Sequence, residues 1–132
     1  MYEYKVVSID KVVDGDTVDC TIDLGFSTLT KQRVRLAGID TPESKSSDPL
    51  MKQAAQKAAS FLHSWMKNNA GNILIQTTKD DKYGRILGRF YCQGNCINDT
   101  LVQLGYAWAY DGGVKKADLE ELTKIRRAKG LD

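Results

Sequence analysis

Two short segments of the chain are rich in acid: Val13-Asp14-Gly15-Asp16-Thr17-Val18 and Arg35-Leu36-Ala37-Gly38-Ile39-Asp40-Thr41-Pro42-Glu43. Together they collect the carboxylates of Asp14, Asp16, Asp40 and Glu43 and the guanidinium of Arg35, with no histidine or cysteine among them. Carboxylate oxygens are hard donors that suit Ca²⁺, Mg²⁺ or Mn²⁺ and do not select Zn²⁺ or copper. An arginine beside such a cation is well placed to hold phosphate, because its planar fork gives two parallel hydrogen bonds. A second arginine, Arg85, closes the run Asp81-Lys82-Tyr83-Gly84-Arg85. These residue types point to metal-assisted chemistry on a phosphate ester. Taken singly, each has a plainer reading. Asp-Gly-Asp and Asp-Thr-Pro are turn formers, and most arginines on strands are simply solvated.

Charge sharpens the reading. Asp14, Asp16, Asp40 and Glu43 set against Arg35 and Arg85 leave about two surplus negative charges. Such a site repels an anionic substrate until a divalent cation offsets it. At about 4 Å and an effective dielectric near 20, each charge pair is worth roughly 4 kcal/mol, enough to decide occupancy. The chain as a whole gives little help, since 19 basic and 17 acidic residues leave a net charge of +2. A nucleic-acid partner would therefore have to be recognised by local arrangement rather than by a broad basic surface.

The elements that must hold these residues are legible in the pattern. Tyr4 to Val13 and Thr17 to Leu24 read as strands, joined by a turn at Asp14-Gly15-Asp16 in which Gly15 is free to take positive φ. Gly25-Phe26-Ser27 is a second turn. Gln32 to Ile39 is a third strand, on which Arg33 and Arg35 share a face. After a polar loop from Glu43 to Pro49 the period changes. Met51, Ala55, Ala58, Ala59, Leu62, Trp65 and Met66 mark an amphipathic helix that ends at Asn68-Asn69-Ala70-Gly71. Strands follow at Asn72 to Thr77 and Ile86 to Cys92, then helices at Asn98 to Gly105 and Lys115 to Lys129. The expectation is one α+β domain over residues 1–132: a five-stranded barrel of the oligonucleotide/oligosaccharide-binding (OB) type with about three helices.

The motifs DGDT, RLxGIDTPE and DKYGR, in that order, resemble the staphylococcal nuclease (thermonuclease) family from about Val7 to the final helix. The resemblance implies Ca²⁺ bound by the carboxylates of Asp16 and Asp40 and the backbone carbonyl of Thr41, with Asp14 in an outer-sphere position. It implies Glu43 as the general base on an attacking water, and Arg35 and Arg85 as the two phosphate-holding arginines. Lys82 and Tyr83 match positions near the neighbouring phosphate. The implied activity is hydrolysis of DNA and RNA with little sequence preference, leaving 3′-phosphate ends. The alternative is a non-catalytic module of the same fold that binds nucleic acid or protein. The complete set of Asp16, Arg35, Asp40, Glu43 and Arg85 favours the enzyme.

Several features depart from the family or stand outside the motifs. The stretch between Glu43 and the first helix is short. Tyr106 and Tyr110 are the candidates for contact with a base, and either has core packing as its alternative. Trp65 and Trp108 read as packing residues, and His63 as solvated. The Lys115-Lys116 and Arg126-Arg127-Lys129 groups read either as a solvated helix face or as aids to nucleic-acid binding. Cys20, Cys92 and Cys96 read as reduced thiols, Cys92 and Cys96 facing each other across a hairpin loop. A zinc site would need Cys20 and His63 as its further ligands. Met1 to Lys5 shows no cationic and apolar leader and no segment has membrane-spanning length, so a monomeric cytoplasmic protein without a membrane partner is expected.

Overall fold

A computed structural model describes residues 2–77, 84–111, 113 and 118–132. The predicted site residues Lys82 and Tyr83, and the Lys115-Lys116 pair, lie outside these. Strand β1 (Tyr2–Asp14) pairs antiparallel with β2 (Thr17–Asp23), which pairs with β3 (Leu29–Leu36). On its other side β1 pairs with β5 (Leu74–Thr77), and β5 with β6 (Ile86–Cys92). A parallel pairing of β3 with β6 closes the five strands into a barrel. Two-residue strands complete the set: β4 (Ile39–Asp40) pairs with β8 (Trp108–Ala109), and β7 (Asn95–Cys96) with β6. The α+β barrel of the OB type read from the sequence is the fold observed.

Strand β1 is longer than its hydrophobic pattern indicates, because three register shifts against β2 let it coil from one partner to the other. The third strand ends at Leu36 rather than Ile39. Gly38 adopts φ 78°, a left-handed conformation that glycine takes without steric cost, and turns the chain there.

Helix α1 (Pro49–Asn68) opens with Pro49 in its first turn and the Asp48 side chain accepting from the Leu50 amide at 3.0 Å. It buries Ala54, Ala55, Ala58, Leu62 and Met66. The run Asn68-Asn69-Ala70-Gly71 ends it as expected, with Asn69 as the capping residue. Helix α2 (Ile97–Gln103) begins one residue before the expected start. Helix α3 (Leu119–Ala128) starts where Asp118 accepts from the amides of Glu120 and Glu121, not at Lys115.

The core fills the barrel. Val18, Val34, Leu36, Leu62, Ile75, Phe90, Ile97 and Leu101 are fully buried, with Trp65 and Tyr106 packed at its margin. Trp108 is buried and His63 exposed, as expected. Cys92 and Cys96 do not face each other. The turn takes positive φ at both Gln93 and Gly94, which sets Cys92 opposite Asn95 and Cys96 opposite Tyr91. All three thiols are free and buried.

Candidate active site

The first acidic segment forms the turn from β1 to β2. Gly15 does not use left-handed φ here, contrary to the sequence expectation. Glycine is required by proximity: a Cβ at this position would lie 2.8 Å from Ala58 Cβ on α1 and 3.2 Å from Thr41 Cγ2. The missing side chain lets the turn press against the helix and against the segment that carries Asp40. Asp14 accepts from Ser44 Oγ at 2.9 Å, and Asp16 from its neighbour Thr17 at 3.0 Å.

The second segment begins as a tight turn in which the carbonyls of residues 36–39 each accept a hydrogen bond. Arg35 Nη1 donates to the carbonyls of Leu36 and Ile39 at 2.9 and 3.0 Å. Asn98 Nδ2 donates to Ala37 O at 2.8 Å, and the Tyr110 amide to Gly38 O at 2.9 Å. The Leu36 amide donates in turn to Asp16 O at 2.8 Å, tying the two acidic segments together. Arg35 is thereby fixed by the turn that it folds over. Its Nη2 reaches Asp16 Oδ2 at 3.6 Å and Asp40 Oδ1 at 3.5 Å, and the Tyr110 ring lies 5.8 Å from its Cζ. These longer contacts are electrostatic steering, whereas the two carbonyl bonds set the side chain's position.

Asp16, Asp40 and Arg35 therefore sit together, with side-chain exposures of 15%, 5% and 11%. Two carboxylates and one guanidinium leave a net charge of −1 in a sheltered place where screening is weak. Thr41 follows Asp40 and is buried. The donors are all oxygen. No three histidine, cysteine, aspartate or glutamate side chains converge as a ready ligand set among the described residues, so further ligands would come from backbone carbonyl or water. That chemistry and charge fit a hard divalent cation and fit zinc poorly.

A cleft of about 510 Å³ adjoins this group, lined by Val13, Asp14, Thr17, Arg33, Arg35, Ser44, Lys45 and Arg85. The parallel β3–β6 register explains its arginines. Val34 lies beside Ile86, so Arg33 on β3 and Arg85 just before β6 each stand one residue earlier. Arg85 is exposed, as is Glu43, which sits in the loop leading to α1. Arg33 forks onto Asp19 with Nε and Nη2 at 2.8 and 3.1 Å. The hydrogen bond from Arg33 holds the Asp19 carboxyl below its ordinary range.

The sequence reading missed Asn98 entirely. It is fully buried, donates to Ala37 O and Gly88 O, and accepts from the Phe90 amide at 3.2 Å. It links α2 and β6 to the turn before Asp40. The Arg126-Arg127-Lys129 group also needs correction, because Arg126 is not part of a solvated face. It is buried, donates to Gly105 O at 2.8 Å, and pairs with Asp132 at 3.0 Å. Of the two tyrosines, Tyr106 stacks on Phe61 with centroids 4.7 Å apart and packs against the core, while Tyr110 covers Arg35.

Comparison with known proteins agrees with the geometry. The family described as staphylococcal nuclease homologue matches residues 33–130, and the chain belongs to that family. It is similar to staphylococcal-like nuclease CAN1 of Arabidopsis thaliana, at 34% identity over 75% of this chain and 28% of that protein. It is also similar to the SPbeta prophage-derived endonuclease YokF of Bacillus subtilis strain 168, at 30% identity over 85% of this chain and 38% of that protein. Protein ParB of Escherichia coli is 30% identical over 91% of this chain and 66% of its own length. The chain thus spans well under half the length of the first two relatives. Among the described residues no helix is long and apolar enough to cross a membrane.

Proposed function

We propose that the chain is a divalent-cation-dependent nuclease, with Ca²⁺ as its ion, that hydrolyses phosphodiester bonds of DNA and RNA with little sequence preference. One observation carries the reading: Arg35 contacts both Asp16 and Asp40 and lines the same cleft as Arg85. Asp16, Asp40 and the Thr41 carbonyl would hold the ion. When bound, the ion supplies positive charge that offsets the site's acidity and the charge developing on the phosphate.

The chain's own groups do the rest. Arg85 offers a planar fork to the non-bridging oxygens, and Arg35, its Nη1 held by the turn, presents Nη2 to them as their charge grows with the addition of water to phosphorus. Glu43, exposed and next in the chain to Ser44 of the cleft lining, is given the role of orienting the water and accepting its proton. The new P–O bond forms as the P–O5′ bond breaks, the 5′ oxygen takes up a proton, and the 3′-phosphate end remains. Lys82 and Tyr83 are assigned to the neighbouring phosphate by the motif alone.

The test incubates single- and double-stranded DNA and RNA with the protein in Ca²⁺ or in chelator, beside Glu43→Gln and Arg85→Ala. We expect cleavage that needs the ion and falls at least about 100-fold in each variant, on the scale of losing a group that acts in the transition state. Ion-dependent binding without cleavage above the variants would instead make the chain a binding module.

A further inference from the structure

We propose that Arg33 is a further phosphate site in the cleft, taking a phosphodiester that flanks the cleaved one and is distinct from the phosphate assigned to Lys82 and Tyr83, and that Asp19 holds it ready. The inference rests on the nuclease reading and extends it from one ester to a single-stranded polymer.

Arg33 and Arg35 lie two residues apart on one face of β3, so their Cα atoms are about 7 Å apart. That is comparable to the step between successive phosphates along an extended single strand. Both line the cleft, as do Lys45 and Arg85, the residue just before β6. What separates them is how each is held. Arg35 is committed to two turn carbonyls and two carboxylates, and its side chain is 11% exposed. The Arg33 side chain is 63% exposed and forks onto Asp19, itself 30% exposed.

An ion pair this open to water contributes little to stability. A phosphodiester presents the same two-oxygen face to the same fork. Exchanging Asp19 for phosphate therefore keeps both hydrogen bonds. Asp19 is not abandoned, because Lys11 stands opposite it in the β1–β2 register. Asp19 is thus a competitor for Arg33 as well as its support, and the two residues should act with opposite sign.

The test measures anisotropy of a labelled single-stranded DNA 12-mer with Ca²⁺ in a Glu43→Gln background, across a salt series. Adding Arg33→Ala should weaken binding about tenfold, as for a lost charge-assisted fork, and lower the slope of log K against log salt by about 0.7, the loss of one phosphate contact. Arg33→Lys should keep the salt slope and lose part of the affinity. Adding Asp19→Asn should tighten binding about threefold. In the otherwise native chain, Arg33→Ala should lower kcat/KM on the 12-mer about tenfold more than on a dinucleoside monophosphate, which has a single ester. Equal losses on both substrates overturn the proposal. So do shifts in the same direction for Arg33→Ala and Asp19→Asn, or no shift in either. If the native chain cleaves neither substrate, the nuclease reading fails, and the anisotropy series still decides the role of Arg33.

Discussion

Gly15→Ala should cripple the site through a single methyl group. The backbone at Gly15 is not left-handed, so alanine is allowed there and the whole penalty is steric. The new Cβ would meet Ala58 Cβ at 2.8 Å, Thr41 Cγ2 at 3.2 Å and the Ala58 carbonyl carbon at 3.3 Å. The first distance is one that carbon atoms do not hold, so the turn or the helix must give way. Overpacking of this kind costs about 1–3 kcal/mol. Alanine recovers roughly 0.4–1 kcal/mol by restricting the unfolded chain. The net loss is about 1–2 kcal/mol, or about 5 °C in thermal midpoint for a domain of this size. The functional loss should be larger. The turn moves away from Thr41 and with it moves Asp16, which must stay close enough to share Arg35 with Asp40. A displacement near 1 Å typically costs about 100-fold in rate.

The same methyl should be rescued from the other side. Ala58→Gly removes the atom in closest contact, at a helix-propensity cost of about 1 kcal/mol. The contacts to Thr41 Cγ2 and to the Ala58 backbone remain tight, so recovery should be partial. A double-mutant cycle read by thermal unfolding and by cleavage at 25 °C should show a favourable coupling of at least about 1 kcal/mol. Additivity within about 0.5 kcal/mol would refute the reasoning, because it would mean that the two positions do not press on each other.

Asn98→Ala should destabilise by about 3 kcal/mol in urea, since the Ala37 carbonyl and the Phe90 amide lose a buried partner. Asn98→Asp should be worse, as it sets lone pairs against the Ala37 and Gly88 carbonyls. Arg126→Met keeps the volume and removes the bonds to Gly105 and Asp132, and should cost about 3 kcal/mol in the same assay. Burial alone would raise the Asp132 carboxyl, but the hydrogen bonds from Lys57 and Arg126 outweigh it and hold it below 3.8. Its contribution is therefore full above about pH 4 and is lost as pH falls through the lowered value. The acid slope of stability below pH 4 should flatten in Arg126→Met. Burial pushes the Cys20 thiol up to about 12, so a thiol reagent at pH 8 should reach it only on global unfolding, and labelling in the native state would refute that burial.

How much of this could be read from the chain depends on the range of each interaction. The identity of the groups, the alternation of β3 and the apolar stripe of α1 are local patterns, and they place the barrel and most of its elements. The sequence reading keeps Pro49 in the loop, yet α1 begins there, with Asp48 as its cap, a local signal that the apolar stripe starting at Met51 overshadows. Gly15 shows the limit. Glycine in an acidic turn signals positive φ, yet its actual cause is Ala58, a residue that enters the neighbourhood only when α1 packs on the barrel. Asn98 was illegible for a related reason. An asparagine near a helix start reads as a capping residue, and nothing local says that its amide reaches the turn holding Asp40.

Arg126 was recoverable from the pattern. Leu122 and Arg126 are four residues apart and so share a helix face, and both are buried. The charge of the basic cluster suggests a solvated face, but the spacing of Arg126 from Leu122 turns that one member inward. The site follows the same logic. Residue types name its chemistry, but Arg35 lies where it does because the carbonyls of Leu36 and Ile39 are turned toward it. That turn is held in place by a helix and a strand from the other half of the chain, and the precision of the cleft is therefore a property of the closed barrel rather than of the motif.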